Sequence, residues 1–186
     1  MPLSVFLWVI IAAAIFIVLI FIYYFNRFVV FGNRVDNSLS QIDVQLRKRA
    51  DLVPNLIKTV KGYAKHESKI MTEVTKARVA MLKAPTLEKR MKAGNQLQTA
   101  LKSIFAIAEN YPQLKANENF LHLQQELSAI EDKVAYSRQF YNDSILTYND
   151  TCKSFPGVFF ANLYGKKPKE FFKIPAEAKA VPKVEF

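Results

Sequence analysis

The first 26 residues carry no charged side chain, and the apolar run from Leu3 to Phe25 restricts the fold more than any other feature. As an α-helix that rises about 1.5 Å per residue, the run extends about 35 Å and can cross a bilayer. A cleaved signal peptide would carry a basic amino end and a shorter apolar core, and a buried soluble helix would not need so long a run without a polar face. Residues 1–25 are therefore predicted to form a transmembrane anchor in contact with the lipid bilayer.

The charges on the two sides of the run predict its orientation. No Lys or Arg precedes it, whereas Arg27 and Arg34 follow it closely. Positively charged segments tend to remain on the cytoplasmic side of a membrane. We expect a single-pass protein with its amino terminus outside and the following domain in the cytoplasm.

The residues after the anchor have the apolar spacing of long helices. Apolar side chains recur every three or four positions, and only 5 glycines and 8 prolines occur among the 186 residues. The pattern predicts an all-α fold in which residues 26–157 form an elongated antiparallel helical bundle, with helices at about 33–83, 86–110 and 117–154. Pro54 predicts a kink or short break in the first helix, which could equally continue directly from the anchor. Thr86 is the expected cap of the second helix.

The third predicted helix carries a heptad seam from Phe120 to Phe155, whose steps alternate between three and four residues. The mixture of large and small seam residues predicts close packing against a partner helix. That helix could belong to this chain or to a second copy, so the seam leaves homo-oligomerisation open. The sequence Phe155-Pro156-Gly157 is expected to end the helix.

Residues 158–186 form an aromatic and basic C-terminal segment with a Pro/Ala/Lys-rich tail. The aromatic side chains either fold back to cap the bundle or contact a membrane face together with the neighbouring lysines. The residues predicted for the membrane contact are Phe159, Phe160, Lys166, Lys167, Phe171 and Phe172.

Two polar regions are candidates for binding a protein partner. One is the basic cluster Arg47-Lys48-Arg49, whose alternative interpretation is a solvated helix face. The other is the loop between the second and third helices, with Asn110, Tyr111, Asn117 and Asn119. Those loop residues could equally serve only to cap the helices and close the loop.

Sequence motifs for catalysis or cofactor binding are missing from the chain. His66-Glu67 lacks the second histidine of a zinc-binding helix, His122 has no accompanying ligand pattern, and Cys152 has no activating neighbour, which favours its burial. No phosphate-binding loop, nucleophile elbow or nucleic-acid-binding signature occurs. The formal net charge of +10 suits an anionic membrane surface. We therefore predict no enzyme, cofactor, metal site or nucleic-acid partner.

Several strings in the sequence together resemble the LemA family. They include Ala108-Glu-Asn-Tyr-Pro112 and Lys115-Ala-Asn-Glu-Asn-Phe120, and the full set covers residues 34–56, 60–67, 108–112, 115–120, 138–143, 155–157 and 168–172. Two departures are Ala50, where a bulky aromatic residue is often found, and the loosely matched residues 160–164. The resemblance implies a bacterial inner-membrane protein with one N-terminal span, an antiparallel helical domain, no established enzyme activity and an accessory or scaffold role. It supplies no catalytic residues.

The functional hypothesis is a membrane-anchored helical scaffold or adaptor that presents a polar and basic surface to an unidentified membrane or cytosolic protein. The alternative is a lipid-binding or membrane-organising protein that acts through its basic face and C-terminal aromatic residues.

Overall fold

The computed structural model describes residues 3–172, and the predicted all-α fold is confirmed, since 86% of these residues are helical and none lies in a strand. The tail beyond residue 172, which belongs to the predicted C-terminal segment, lies outside the described residues. The helices are α1 (Leu3–Tyr63), α2 (Ser68–Lys83), α3 (Leu87–Ala108), α4 (Pro112–Lys115), α5 (Glu118–Lys153) and α6 (Gly157–Leu163).

The first helix differs from the prediction because it passes through Pro54 without a break and ends at Tyr63. Proline has no N–H to donate to the carbonyl four residues earlier, here that of the buried Ala50. The Nε of Arg78, on α2, donates a hydrogen bond to the Ala50 oxygen at 2.7 Å. The guanidinium replaces the missing amide. The short break predicted at Pro54 is therefore wrong, and the kink given as its alternative stays a prediction. The predicted single helix at about 33–83 is instead divided at residues 64–67.

The helices α2 and α3 form a packed hairpin joined by the short link through Pro85. The hydroxyl of Thr86 accepts a hydrogen bond from the Lys89 amide at 3.3 Å, which confirms the predicted cap. Gly94 allows α3 to lie close to the Leu46 side chain of α1, because a Cβ at this position would be 2.9 Å from a terminal methyl of Leu46.

The heptad seam of α5 is buried within the chain at ten positions: Phe120, Leu123, Leu127, Ile130, Val134, Ser137, Tyr141, Ser144, Tyr148 and Thr151. The predicted seam is therefore confirmed over the helix itself. Phe155, its last predicted member, follows the end of α5 and is 89% exposed. The helical period no longer applies beyond Lys153, so the side chain of Phe155 leaves the buried row.

The chain forms two compact units. The central unit comprises residues 39–137 and has an aliphatic core that includes Ile42, Leu46, Leu56, Leu97 and Leu114. The span unit comprises the described residues through Ser38 and from Arg138 onward, and its buried side chains include Phe28, Tyr141, Tyr148 and Phe160. The helices α1 and α5 contribute residues to both units. The predicted domain boundaries after residues 25 and 157 stay predictions.

Among the described residues, α1 is the helix whose length and apolar composition allow it to cross a membrane. Residues 4–19 are exposed throughout, and the helix becomes partly covered from Ile20 onward. An apolar surface that the protein leaves uncovered is what a lipid-facing helix requires. The N-terminal part of α1 is therefore a candidate membrane span.

Candidate functional site

An open furrow lies in the central unit between the last turns of α1 and the first turns of α5. Its main part has a volume of about 680 Å³. Its polar lining comes from Asn55, Lys58, Thr59 and Tyr63 on α1, and from Asn117, Asn119, His122 and Glu126 at the start of α5.

Two further grooves continue this furrow in either direction. A groove of about 320 Å³ shares Tyr63 with the main part and is lined by Asn110, Tyr111, Pro112 and Gln113. A groove of about 370 Å³ shares Leu52 and Glu126 with it and reaches Lys48, Asp51 and Lys133. We call these three parts together the polar furrow. From Asn117 to Lys133 it follows α5 for about 24 Å at the helical rise.

The local sequence explains why the loop residues reach the furrow. Pro112 begins the short helix α4, where its missing amide costs nothing. Asn117 then caps α5, because its Oδ1 accepts a hydrogen bond from the Phe120 amide at 3.0 Å. Its Nδ2 donates to the Tyr63 hydroxyl at 3.0 Å. One asparagine thus joins the end of α1 to the beginning of α5.

Tyr111 is also held within the central unit. Its hydroxyl donates to Oε1 of Glu67 at 3.3 Å. Desolvation and the neighbouring Glu67 carboxylate raise the pKa of Tyr111 above its ordinary value. The capping role considered for the loop is therefore confirmed for Asn117, whereas the Tyr111 side chain joins the loop to Glu67 and caps no helix. Both residues nevertheless line the polar furrow, together with the exposed Asn110 and Asn119.

The basic cluster does not form one surface. Lys48 is exposed and lines the polar furrow, whereas the exposed Arg47 donates to Asp43 at 2.9 Å. Arg49 is only 2% exposed and lines a separate cavity of about 180 Å³, so its prediction as a surface residue is wrong. Consecutive side chains on a helix point in directions about 100° apart and cannot share a face.

Sequence reasoning missed part of the furrow on α1. Asn55, Thr59 and Tyr63 recur every four residues, which places them on one helix face beside the apolar stripe. That polar stripe was the available signal. Its role is visible only in the folded chain, where Asn117 at the start of α5 lies against it.

The aromatic C-terminal residues divide into inward and outward sets within the span unit. Phe160 is buried, with its ring stacked on Tyr24 at a centroid distance of 4.5 Å. The Phe172 ring contacts Tyr141 at 4.5 Å, and its amide donates to Asn142 at 3.1 Å. These two residues fold back as one interpretation predicted, so Phe160 is not available for the proposed membrane contact.

The remaining members of the predicted membrane contact have unequal exposure. Phe159 and Phe171 are 58% and 46% exposed. Lys167 is exposed and Lys166 is half-buried.

The titratable groups weighed for chemistry have ordinary structural positions. Cys152 is buried as predicted, and burial raises its pKa, which makes its thiol a poor nucleophile. The nearby Tyr148 has its pKa raised to about 12 by desolvation and by the Cys152 group. His122 lies in the furrow with its Nδ1 3.9 Å from Glu126, and His66 is exposed. Within residues 3–172, no group of three or more His, Cys, Asp or Glu side chains could hold a metal ion.

The fold and the site define a class of helical proteins with a candidate N-terminal membrane span and a polar furrow. The sequence model of the LemA family matches residues 38–186, and the chain belongs to that family, as the resemblance predicted.

Similar proteins include magnetosome protein MamQ 2 of Paramagnetospirillum magneticum and magnetosome protein MamQ of Magnetospirillum gryphiswaldense. Each is 25% identical over 80% of this chain. The matched region spans 64% of the length of each relative.

Proposed function

We propose that this chain is a membrane-anchored scaffold whose central unit holds a segment of a partner protein in the polar furrow. The observation that carries the proposal is that the four loop residues and Lys48, all predicted partner contacts, line three adjoining grooves that share lining residues. Residues more than 60 positions apart in the chain thus contribute to one surface.

The chemistry of the lining favours a polypeptide. Asparagine amides and threonine and tyrosine hydroxyls can both donate and accept hydrogen bonds, as a peptide backbone requires. A furrow of about 24 Å accommodates about seven residues of extended chain at 3.3 Å each. Lys48, Lys58 and Lys133 outnumber Asp51 and Glu126 along the lining. A segment with at least one acidic side chain therefore complements the furrow best.

The family and its relatives support a structural role over a reaction. The matched family and relatives carry names that do not denote an enzyme, and two are magnetosome proteins. We assign no catalytic residue and no cofactor to this chain. We also do not assign lipid binding to the basic cluster, because Arg49 is buried and Arg47 is bonded to Asp43.

Site-specific photocross-linking in the native membrane tests the proposal. A benzophenone amino acid replaces Lys58 or Asn119 inside the furrow, and Gln96, exposed on α3, is the matched control outside it. We expect the same partner to be captured from both furrow positions and not from Gln96. Filling the furrow with Thr59→Trp should abolish that capture while the full-length protein still accumulates. Equal capture from Gln96, or capture that survives Thr59→Trp, would refute the furrow as the binding site.

The side of the membrane on which the partner binds is part of the proposal. The arginines that follow the span support a cytoplasmic central unit. Paired reporters fused after Phe186 test this, and we expect activity from the cytoplasmic reporter. Activity from the extracytoplasmic reporter would direct the search to envelope proteins instead.

A further inference from the structure

The helix α6 lies against the end of the candidate membrane span. Phe160 stacks on Tyr24 and meets Phe21 edge-on at 5.1 Å. The Tyr164 hydroxyl donates to the Phe21 carbonyl at 2.9 Å, and its ring meets Phe25 edge-on at 5.6 Å. The contacts of α6 therefore fall on the last turns of the charge-free run, which ends before Arg27.

The two faces of α6 have different surroundings. Gly157, Phe160 and Ala161 are buried against the rest of the span unit. Large apolar side chains face outward at positions 155, 159 and 163, with exposures of 89%, 58% and 55%. Phe159 and Leu163 are four residues apart and lie on one side of α6, and Phe155 lies just before the helix begins at Gly157. These three exposed side chains form an apolar patch of the kind that marks contact sites.

Basic residues flank this patch at both ends. Lys153 precedes it, and Lys166 and Lys167 follow Gly165, whose positive φ of 63° turns the chain after α6. Aromatic rings and lysines with long alkyl chains are the side chains that favour the boundary between lipid headgroups and acyl chains.

We propose that α6 is a second membrane contact of this chain, which lies in the interface of the leaflet that α1 leaves and inserts Phe155, Phe159 and Leu163. We expect α6 at the depth of the lipid interface because Phe160 and Tyr164 on its inward face hold it against the end of the span. A lipid interface is the favoured occupant since α6 packs on Phe21 and Tyr24 at the end of the span, whose own surface is apolar and uncovered. This contact does not depend on a partner in the polar furrow.

Tryptophan fluorescence of the full chain in liposomes tests the depth of α6. Trp8 is the one tryptophan of the chain, so the wild-type protein reports insertion of the span. Phe159→Trp in a Trp8→Phe background reports α6. Gln139→Trp in the same background is the control, because Gln139 is exposed on α5 beside Phe140, whose ring contacts Arg34 at 5.8 Å. Arg34 lies about 12 Å along α1 beyond Asn26.

We expect lipids brominated near the headgroup to quench the Phe159→Trp protein, with emission shifted to shorter wavelength, and to leave the Gln139→Trp protein unchanged. Wild type should be quenched by lipids brominated deeper in the acyl chains. Equal emission from the Phe159→Trp and Gln139→Trp proteins, in liposomes where Trp8 is quenched, would overturn the proposal.

A second copy of the chain is the competing occupant of the patch. Disulfide formation by Phe159→Cys in a Cys152→Ser background distinguishes a second copy from the lipid interface. We expect this protein to remain monomeric when oxidised in liposomes at low protein density. Disulfide-linked dimers together with absent lipid quenching would assign the patch to self-association instead.

Discussion

The span unit and the central unit join their helices with different side chains. In the span unit, aromatic rings meet one another, as in the stack of Tyr24 on Phe160 and the edge contact of Phe28 with Tyr148. In the central unit, the core is mainly aliphatic, and arginines bond to backbone carbonyls and to the Asp43 carboxylate. The unit that contains the candidate span thus relies more on aromatic contacts and the central unit more on arginine hydrogen bonds. Each also holds an example of the other kind, since Lys169 pairs with Asp36 in the span unit and Phe105 meets Phe120 in the central unit.

The difference has a physical reason. An aromatic ring contributes a large apolar area, and tyrosine also carries a polar tip, so both suit a region where water and lipid meet. A buried charge there would be costly unless it were fully paired. In the central unit, partly buried guanidinium groups can hydrogen-bond carbonyls that the helices leave unsatisfied. The two units should therefore respond differently to changes in shape and to changes in polarity.

The largest effect is expected from Gly157→Ala in the span unit. A Cβ at this position would overlap the Thr151 carbonyl oxygen, a backbone atom that cannot move aside easily. We expect a loss of about 3 kcal/mol in the free energy of unfolding, measured by denaturant titration in detergent. Gly32→Ala is the control, because a Cβ there meets nothing within 4 Å and alanine favours a helix. Similar losses from both variants would contradict shape-limited packing at α6.

The second effect concerns the proline in α1 and its arginine partner. Arg78→Ala should cost about 2 kcal/mol, because it leaves the buried Ala50 carbonyl unsatisfied. In a Pro54→Ala background, the restored amide can donate to that carbonyl, and the cost of Arg78→Ala should fall. The four free energies of unfolding form a double-mutant cycle. A coupling energy of zero would show that Arg78 does not compensate for Pro54.

The third effect concerns the C-terminal segment of the span unit. The side chain of the buried Asn149 makes two hydrogen bonds to the backbone of Lys169, both at 2.8 Å. Its Nδ2 donates to the Lys169 carbonyl, and its Oδ1 accepts from the Lys169 backbone amide. Asn149→Ala should cost about 1–2 kcal/mol and accelerate hydrogen exchange in residues 166–172. Asn142→Ala, which removes the single bond to the Phe172 amide, should have a smaller effect. Unchanged exchange at Lys169 in the Asn149→Ala protein would contradict this attachment.

The smallest effect is a pH dependence in the central unit. Burial would raise the pKa of Asp43, but hydrogen bonds from Arg90 and Arg47 outweigh it and lower the pKa below 3.8. This carboxylate therefore stabilises the fold above pH 3.8, and its contribution is lost as pH falls through the lowered pKa. Asp43→Asn should reduce stability by about 1 kcal/mol at pH 7 and by less in acid. A constant difference between pH 7 and pH 3 would contradict the assignment.

Much of the helical architecture follows from local pattern. The heptad seam of α5 could be predicted from the repeat of apolar and small residues alone, because residues that recur at the helical period lie on one face of the helix and pack together. Thr86 could be predicted as a cap because hydroxyl capping involves residues three apart. The continuity of α1 through Pro54 depends instead on a distant residue, since Arg78, 24 positions away on another helix, bonds the carbonyl that the proline leaves unpaired.

The residues of the candidate site also differ in whether the sequence alone could predict them. Asn110, Tyr111, Asn117 and Asn119 could be proposed from sequence because they cluster in a loop whose composition is visible. Lys48 joins them and Arg49 does not, because Lys48 is exposed at the furrow whereas Arg49 is buried beside residues of both α3 and α5.

The apolar run, the helical class and the family follow from the amino-acid sequence alone, since each depends on neighbouring residues or on motifs in their order along the chain. The packing of α6 on the end of the span, with Phe160 inward and Phe159 outward, is visible only in the folded chain. The same is true of the open polar furrow that α1 and α5 line. These outcomes depend on which side chains compete for the same buried space, and residues far apart in the chain settle that competition together.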